Sequence, residues 1–94
     1  MTPQPSEAVL LALALDGALT AAQVRQRLAR WGVYDAPRNN GTTLLSILAQ
    51  RGAVERVRRG LYRLGPGAPV WARLVAELGD GEKARWRRVL EGEW

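Results

Sequence analysis

Residues Val9 to Leu15 read Val-Leu-Leu-Ala-Leu-Ala-Leu, without one polar side chain among them. At 3.6 residues per turn this run covers nearly two turns, so a helix through it is apolar on nearly every side. An ordinary surface helix keeps one polar face, and this one does not. It is also far too short to span a bilayer, which takes roughly 20 apolar residues. The segment must therefore be covered on two sides by the rest of the chain or by a partner. With 94 residues, the chain has enough length for one compact core and too little for two.

The elements available to cover it can be read in order. Residues 1–5 hold two prolines and no periodicity and are expected to form a disordered leader. Ser6 is a good N-cap and Glu7 suits the positive end of a helix dipole, so the first helix is expected from Ser6 to about Leu15, ended by Asp16-Gly17. Thr20-Ala21-Ala22-Gln23 is a capping box that opens a second helix to about Trp31, with Val24, Leu28 and Trp31 on one face and Gly32 in the left-handed position beyond. A connection from Val33 to Asn40, containing Pro37, leads to a third helix. That helix is expected to begin between Gly41 and Thr43 and to end at Arg51, before Gly52. Leu44, Leu45 and Leu48 form its buried stripe, with Ile47 at the edge.

Two four-residue strands follow, Val54 to Val57 and Leu61 to Leu64, joined by Arg58-Arg59-Gly60. A three-residue loop ending in glycine predicts a type I turn and a left-handed bulge residue. Tyr62 and Leu64 are the expected inward pair, with Val54 opposite. After a linker from Gly65 to Pro69, Trp71, Leu74, Val75 and Leu78 make an amphipathic stripe. Gly79-Asp80-Gly81 interrupts the pattern. A last helix from about Glu82 to Glu91 has Trp86, Val89 and Leu90 on one face and Arg85, Arg87 and Arg88 around the other. The expected fold class is mainly α with a small two-stranded β-hairpin, organised as a core domain over residues 6–66 and a C-terminal helical segment over residues 67–94.

Composition removes several kinds of chemistry. The chain has no cysteine, hence no disulfide framework and no thiolate metal site. It has no histidine, so the usual general base at neutral pH and the commonest transition-metal ligand are both missing. The acids Glu55, Glu77, Asp80 and Glu82 are scattered, and no phosphate-cradling glycine motif occurs. No catalytic residue, metal or cofactor is expected. No membrane span is evident, and the leader from Met1 to Ser6 carries no Lys or Arg, unlike a signal peptide. A cytoplasmic protein is expected.

The formal net charge is +5, with Lys83 the only lysine among 14 basic residues. Coding bias in a GC-rich genome accounts for part of this arginine. Its position is more informative, because residues 51–63 contain Arg51, Arg56, Arg58, Arg59 and Arg63 against the single acid Glu55. A local excess of this kind is the electrostatic footprint of a polyanion-binding surface. Beside it, the outward face of the third helix carries Thr42, Thr43, Ser46, Ala49 and Gln50, where a solvated face would carry Glu and Lys.

Three short helices followed directly by an Arg-tipped hairpin resemble the winged helix-turn-helix superfamily over Leu19 to Leu64. The stretch Gly52-Ala53-Val54-Glu55-Arg56-Val57-Arg58-Arg59-Gly60-Leu61-Tyr62-Arg63-Leu64 is similar to the wing of many bacterial transcriptional regulators. It also resembles the N-terminal winged domains of abortive-infection antitoxins, whose hairpins often carry a basic-Gly-aliphatic-Tyr-Arg run. The resemblance implies a small double-stranded DNA-binding regulator, associated with the nucleoid. The groove argument is independent of it. The major groove of B-DNA admits one α-helix, whose N-terminal residues reach base edges. Thr42, Thr43, Ser46 and Gln50 are the candidates for base contact. Arg38, Asn39 and Asn40, just before the helix, would meet phosphates. Arg58 and Arg59 would lie on the backbone or in the minor groove, supported by Arg56 and Arg63.

Plainer roles exist for each of these residues. Asn39-Asn40-Gly41 also makes a turn with a cap, Thr42 or Thr43 also caps the helix, and Arg58 and Arg59 also keep a hairpin edge soluble. Trp31, Trp71 and Trp86 suit a core or an interface better than a base-stacking platform. Two arrangements cover the first helix: the C-terminal helices fold over it within one chain, or they meet it across a homodimer whose third helices face successive major grooves. The alternative function is a winged-helix protein–protein interaction module in a larger nucleic-acid-processing assembly.

Overall fold

A computed structural model describes residues 4–33 and 40–92, and of residues 40–43 the backbone alone. The elements run α1 (Pro5–Asp16), β1 (Leu19–Thr20), α2 (Ala21–Arg30), α3 (Asn40–Gln50), β2 (Val54–Arg58), β3 (Leu61–Leu64), α4 (Val70–Ala76) and α5 (Asp80–Leu90). The fold is mainly helical, with a small antiparallel sheet in the order β1-β3-β2.

The apolar run sits at the centre of the molecule. Every residue of α1 from Ala8 to Leu15 is buried, and α2, α3, β3 and α4 of the same chain supply the cover. The core around α1 also holds Val24, Leu28 and Trp31 of the α2 region, Leu45 and Leu48 of α3, Val54 of β2, and Ala72 and Val75 of α4. No second copy is needed to enclose α1, so the single-chain arrangement accounts for its burial. The helix starts earlier than Ser6. Pro5 takes the first helical position, its missing N–H costing nothing there, and the Gln4 N–H donates to Glu7 Oε1 at 3.1 Å.

The sheet has three strands where sequence periodicity predicts two. Thr20 caps α2, accepting from the Gln23 N–H at 3.2 Å while its own N–H donates to Gln23 Oε1 at 2.9 Å. An N-cap residue takes extended backbone, here φ −76° and ψ 162°. Leu19 and Thr20 are thereby aligned to pair with Tyr62 and Leu61 on the free edge of β3. Two residues are too few to leave an alternation in the sequence.

In the hairpin, Val54, Glu55 and Arg56 pair with Leu64, Arg63 and Tyr62. Gly60 has the left-handed φ of 78°, as its place in the loop requires. The strand itself runs one residue past Val57, with Arg58 paired to Leu61 and the irregularity lying on the β2 side between Arg56 and Arg58. The extra residue keeps the base of the hairpin in phase while the chain closes at Arg59-Gly60.

The C-terminal helices depart most from the sequence pattern. Helix α4 buries Ala72 and Val75, with Ala68 buried just before it. Trp71 and Leu74 are exposed. Small side chains let the α4 backbone come close to α1, and that contact turns the two large residues outward. Helix α5 begins at Asp80, earlier than Glu82, and continues through Gly81. Asp80 and Glu82 in its first turn offset the glycine through the helix dipole. It has no buried residue: Trp86 and Val89 are exposed and Leu90 is only partly covered. Arg87, expected on the solvent side, turns inward. Its Nε donates to Asp16 Oδ1 at 3.0 Å and its Nη2 to the Leu15 carbonyl at 2.6 Å. Arg27 holds the other oxygen of Asp16 at 2.8 Å. One carboxylate at the end of α1 therefore anchors both α2 and α5.

Candidate nucleic-acid interface

Helix α3 ends in a left-handed turn at Gly52, φ 79°. The Gly52 N–H donates to the Ala49 carbonyl at 3.1 Å and the Ala53 N–H to the Leu48 carbonyl at 3.0 Å. This paired capping motif fixes the direction in which β2 leaves the helix. The returning strand is tied to the same point, because the Gly65 N–H donates to the Ala53 carbonyl at 2.8 Å and the Gly67 N–H to the Gly52 carbonyl at 2.9 Å. A Cβ at position 65 would lie 2.3 Å from the Gly52 carbonyl oxygen, so only glycine permits the approach. The hairpin leaves and rejoins the body at the end of α3, hydrogen-bonded to it at both strands.

On α3, Leu45 and Leu48 face the core. Ser46, Ile47 and Gln50 are exposed and Ala49 is partly buried. The i, i+3, i+4, i+7 spacing puts position 43 on the same face as positions 46, 47 and 50. Asn40, Thr42 and Thr43 lie in the first turn of α3, where the structure describes the backbone alone. Arg38 and Asn39 fall outside the described residues. Ile47 belongs to the exposed face, a position that the Leu44-Leu45-Leu48 stripe left at its border.

Around the hairpin, Arg51, Arg56, Arg58 and Arg59 are exposed, and none of them forms a salt bridge among the described residues. Strand alternation puts Arg56 on the sheet face of Val54, Leu64 and Tyr62, which looks toward the helices. Arg63 and Glu55 share the opposite face. There the Arg63 Nε donates to Glu55 Oε1 at 2.8 Å, and Nη2 makes a second, shorter contact with the same oxygen. Arg63 is thus on the opposite sheet face and paired with Glu55, whereas Arg56, Arg58 and Arg59 form no salt bridge among the described residues.

On the other cationic helices Arg27 and Arg87 are occupied by Asp16 and Arg30 reaches Glu91 at 3.4 Å, while Arg73, Arg85 and Arg88 are exposed and form no salt bridge among the described residues. Among the described residues no group of three or more His, Cys, Asp or Glu side chains is placed to hold a metal ion, and no helix is long and apolar enough to cross a membrane. The site therefore offers an exposed, uncharged helix face beside an arm whose Arg56, Arg58 and Arg59 form no salt bridge among the described residues. Sequence reasoning missed Gly65 and Gly67, which set the angle between helix and arm, and placed Arg63 with Arg56. Strand parity at Glu55 and Arg63 was the signal that separates the two arginines. No family model matches the chain, and neither a curated protein nor a solved structure matches it.

Proposed function

We propose that the chain is a winged helix-turn-helix protein that binds double-stranded DNA without catalysing a reaction, acting in the cytoplasm on the nucleoid as a small transcriptional regulator. The element order α1-β1-α2-α3-β2-β3 and the sheet order β1-β3-β2 support the winged reading. In this reading α3 enters the major groove with Ser46 and Gln50, and with Asn40, Thr42 and Thr43 at its leading end. Arg58 and Arg59 contact the backbone or minor groove, and Arg38 and Asn39 meet phosphates. The observation that carries it is an uncharged exposed face of α3, hydrogen-bonded at its end to a hairpin whose Arg56, Arg58 and Arg59 form no salt bridge among the described residues. No cofactor or metal takes part.

Binding of a labelled random duplex over a range of salt concentrations tests the reading. Affinity should fall steeply with salt, and Arg58→Ala/Arg59→Ala should weaken binding to every sequence, lowering the log–log salt slope by about 2. Arg56→Ala should cost more than Arg63→Ala, since Arg63 already spends its charge on Glu55. Equal binding by the double variant and the parent would remove the arm from the interface.

A second reading, a protein-interaction module of the same fold, is favoured by the exposed apolar side chains Ile47 and Val57. Binding through those residues would be nearly indifferent to salt and to the loss of Arg58 and Arg59.

A further inference from the structure

Ile47 is 38% exposed, the one large apolar side chain of α3 left open among the described residues. It shares its face with Ser46 and Gln50, about 60° around the helix from Gln50 and about 100° from Ser46. A branched hydrocarbon offers nothing to a phosphate, so its value on this surface depends on an apolar partner. In the major groove a base pair presents one such group, the C5 methyl of thymine, which projects beside the hydrogen-bonding edges that serine and glutamine can reach. Isoleucine in a helix is held in one strongly preferred χ1 rotamer, so its methyl groups are already oriented before contact.

We propose that Ile47 is a specificity-determining residue that packs on the C5 methyl of a thymine at a fixed position in the bound duplex. The inference rests on the DNA-binding reading and adds to it the ligand's chemistry: a 5-methylpyrimidine facing α3, next to bases read by Ser46 and Gln50. Methylated cytosine carries the same group in the same place, and uracil lacks it.

The test uses the full chain and the duplex it selects most strongly from a random library. Each thymine of that duplex is replaced singly by deoxyuridine, which keeps every hydrogen-bonding atom and deletes only the methyl. At one position the parent protein should lose roughly 3- to 10-fold in affinity, the scale of one buried methyl. Ile47→Ala should bind the thymine and uracil duplexes equally, and Ile47→Val should retain part of the difference. At that same position 5-methylcytosine should bind better than cytosine. Circular dichroism checks that the variants fold, as an exposed position allows. A selected duplex in which no thymine responds, or an Ile47→Ala protein as methyl-sensitive as the parent, overturns the inference while leaving salt- and arginine-dependent binding intact. Failure to select any duplex overturns the DNA reading and this inference together.

Discussion

Glycines illustrate what is legible one residue at a time. Gly32, Gly52 and Gly60 were placed from the sequence because each follows a helix or closes a hairpin, positions where local chemistry asks for positive φ, and each has it. Gly65 looked like part of a linker. Its reason for being glycine is another strand of backbone, the Gly52 carbonyl, 13 residues away in sequence. Tertiary crowding of that kind leaves no local pattern. Gly65→Ala should therefore destabilise by about 1–3 kcal/mol, since the obstacle is main chain and cannot rotate aside. Gly81→Ala should act in the opposite sense. It lies in the first turn of α5 with nothing within 4 Å of a new Cβ and no positive φ, so alanine should stabilise by less than the ~0.5–1 kcal/mol of an interior position. Thermal denaturation of the two variants side by side would show the signs.

At the scale of elements, α2 and α3 are legible from their periodic apolar stripes, and α1 from an unbroken apolar run closed by Asp16-Gly17. The exception that matters is α4, where the expected stripe is met in part: Val75 is in the core and Leu78 packs against it, while Ala72 is buried in place of Trp71 and Leu74. Hydrophobicity scales weight Trp71 and Leu74 heavily, but close approach to α1 is decided by size, and Ala68 and Ala72 win. Helix α5 went wrong for a related reason: its apolar positions look like a packing face, yet its attachment is polar. The Asp16–Arg87 contact and the Arg87 hydrogen bond to the Leu15 carbonyl hold it. Arg87→Ala should speed amide hydrogen exchange throughout α5 and leave α1 and α3 protected, with a stability loss of about 1 kcal/mol or less, given how open the arginine is to solvent. Uniform loss of protection across all five helices would show that α5 is part of the main cooperative unit.

For the whole molecule, the sequence demanded that α1 be covered on two sides and left open whether one chain or two would do it. One chain does. The Cα radius of gyration of 12.2 Å matches the value of about 12 Å for a single compact domain of this length. Truncation separates the contributions. A chain ended after Gly79 loses only α5 and should still unfold cooperatively in urea, less stable by about 1–2 kcal/mol from the partial cover of Leu90 and the lost ion pairs. A chain ended after Gly67 uncovers the α1 surface beneath Ala68, Ala72 and Val75 and should lose its cooperative transition.

The junction of Gly52 with Gly65 and Gly67 has one more consequence. Aim and reach are set at opposite ends of the hairpin: the base fixes the angle, while Arg59 and Gly60 stand free in solvent. Lengthening the tip would extend the arm without re-aiming it, whereas a side chain added at position 65 would meet the Gly52 carbonyl at 2.3 Å and push the arm off its base. Variation in this protein's grip can therefore accumulate at the far end at little structural expense, and only there.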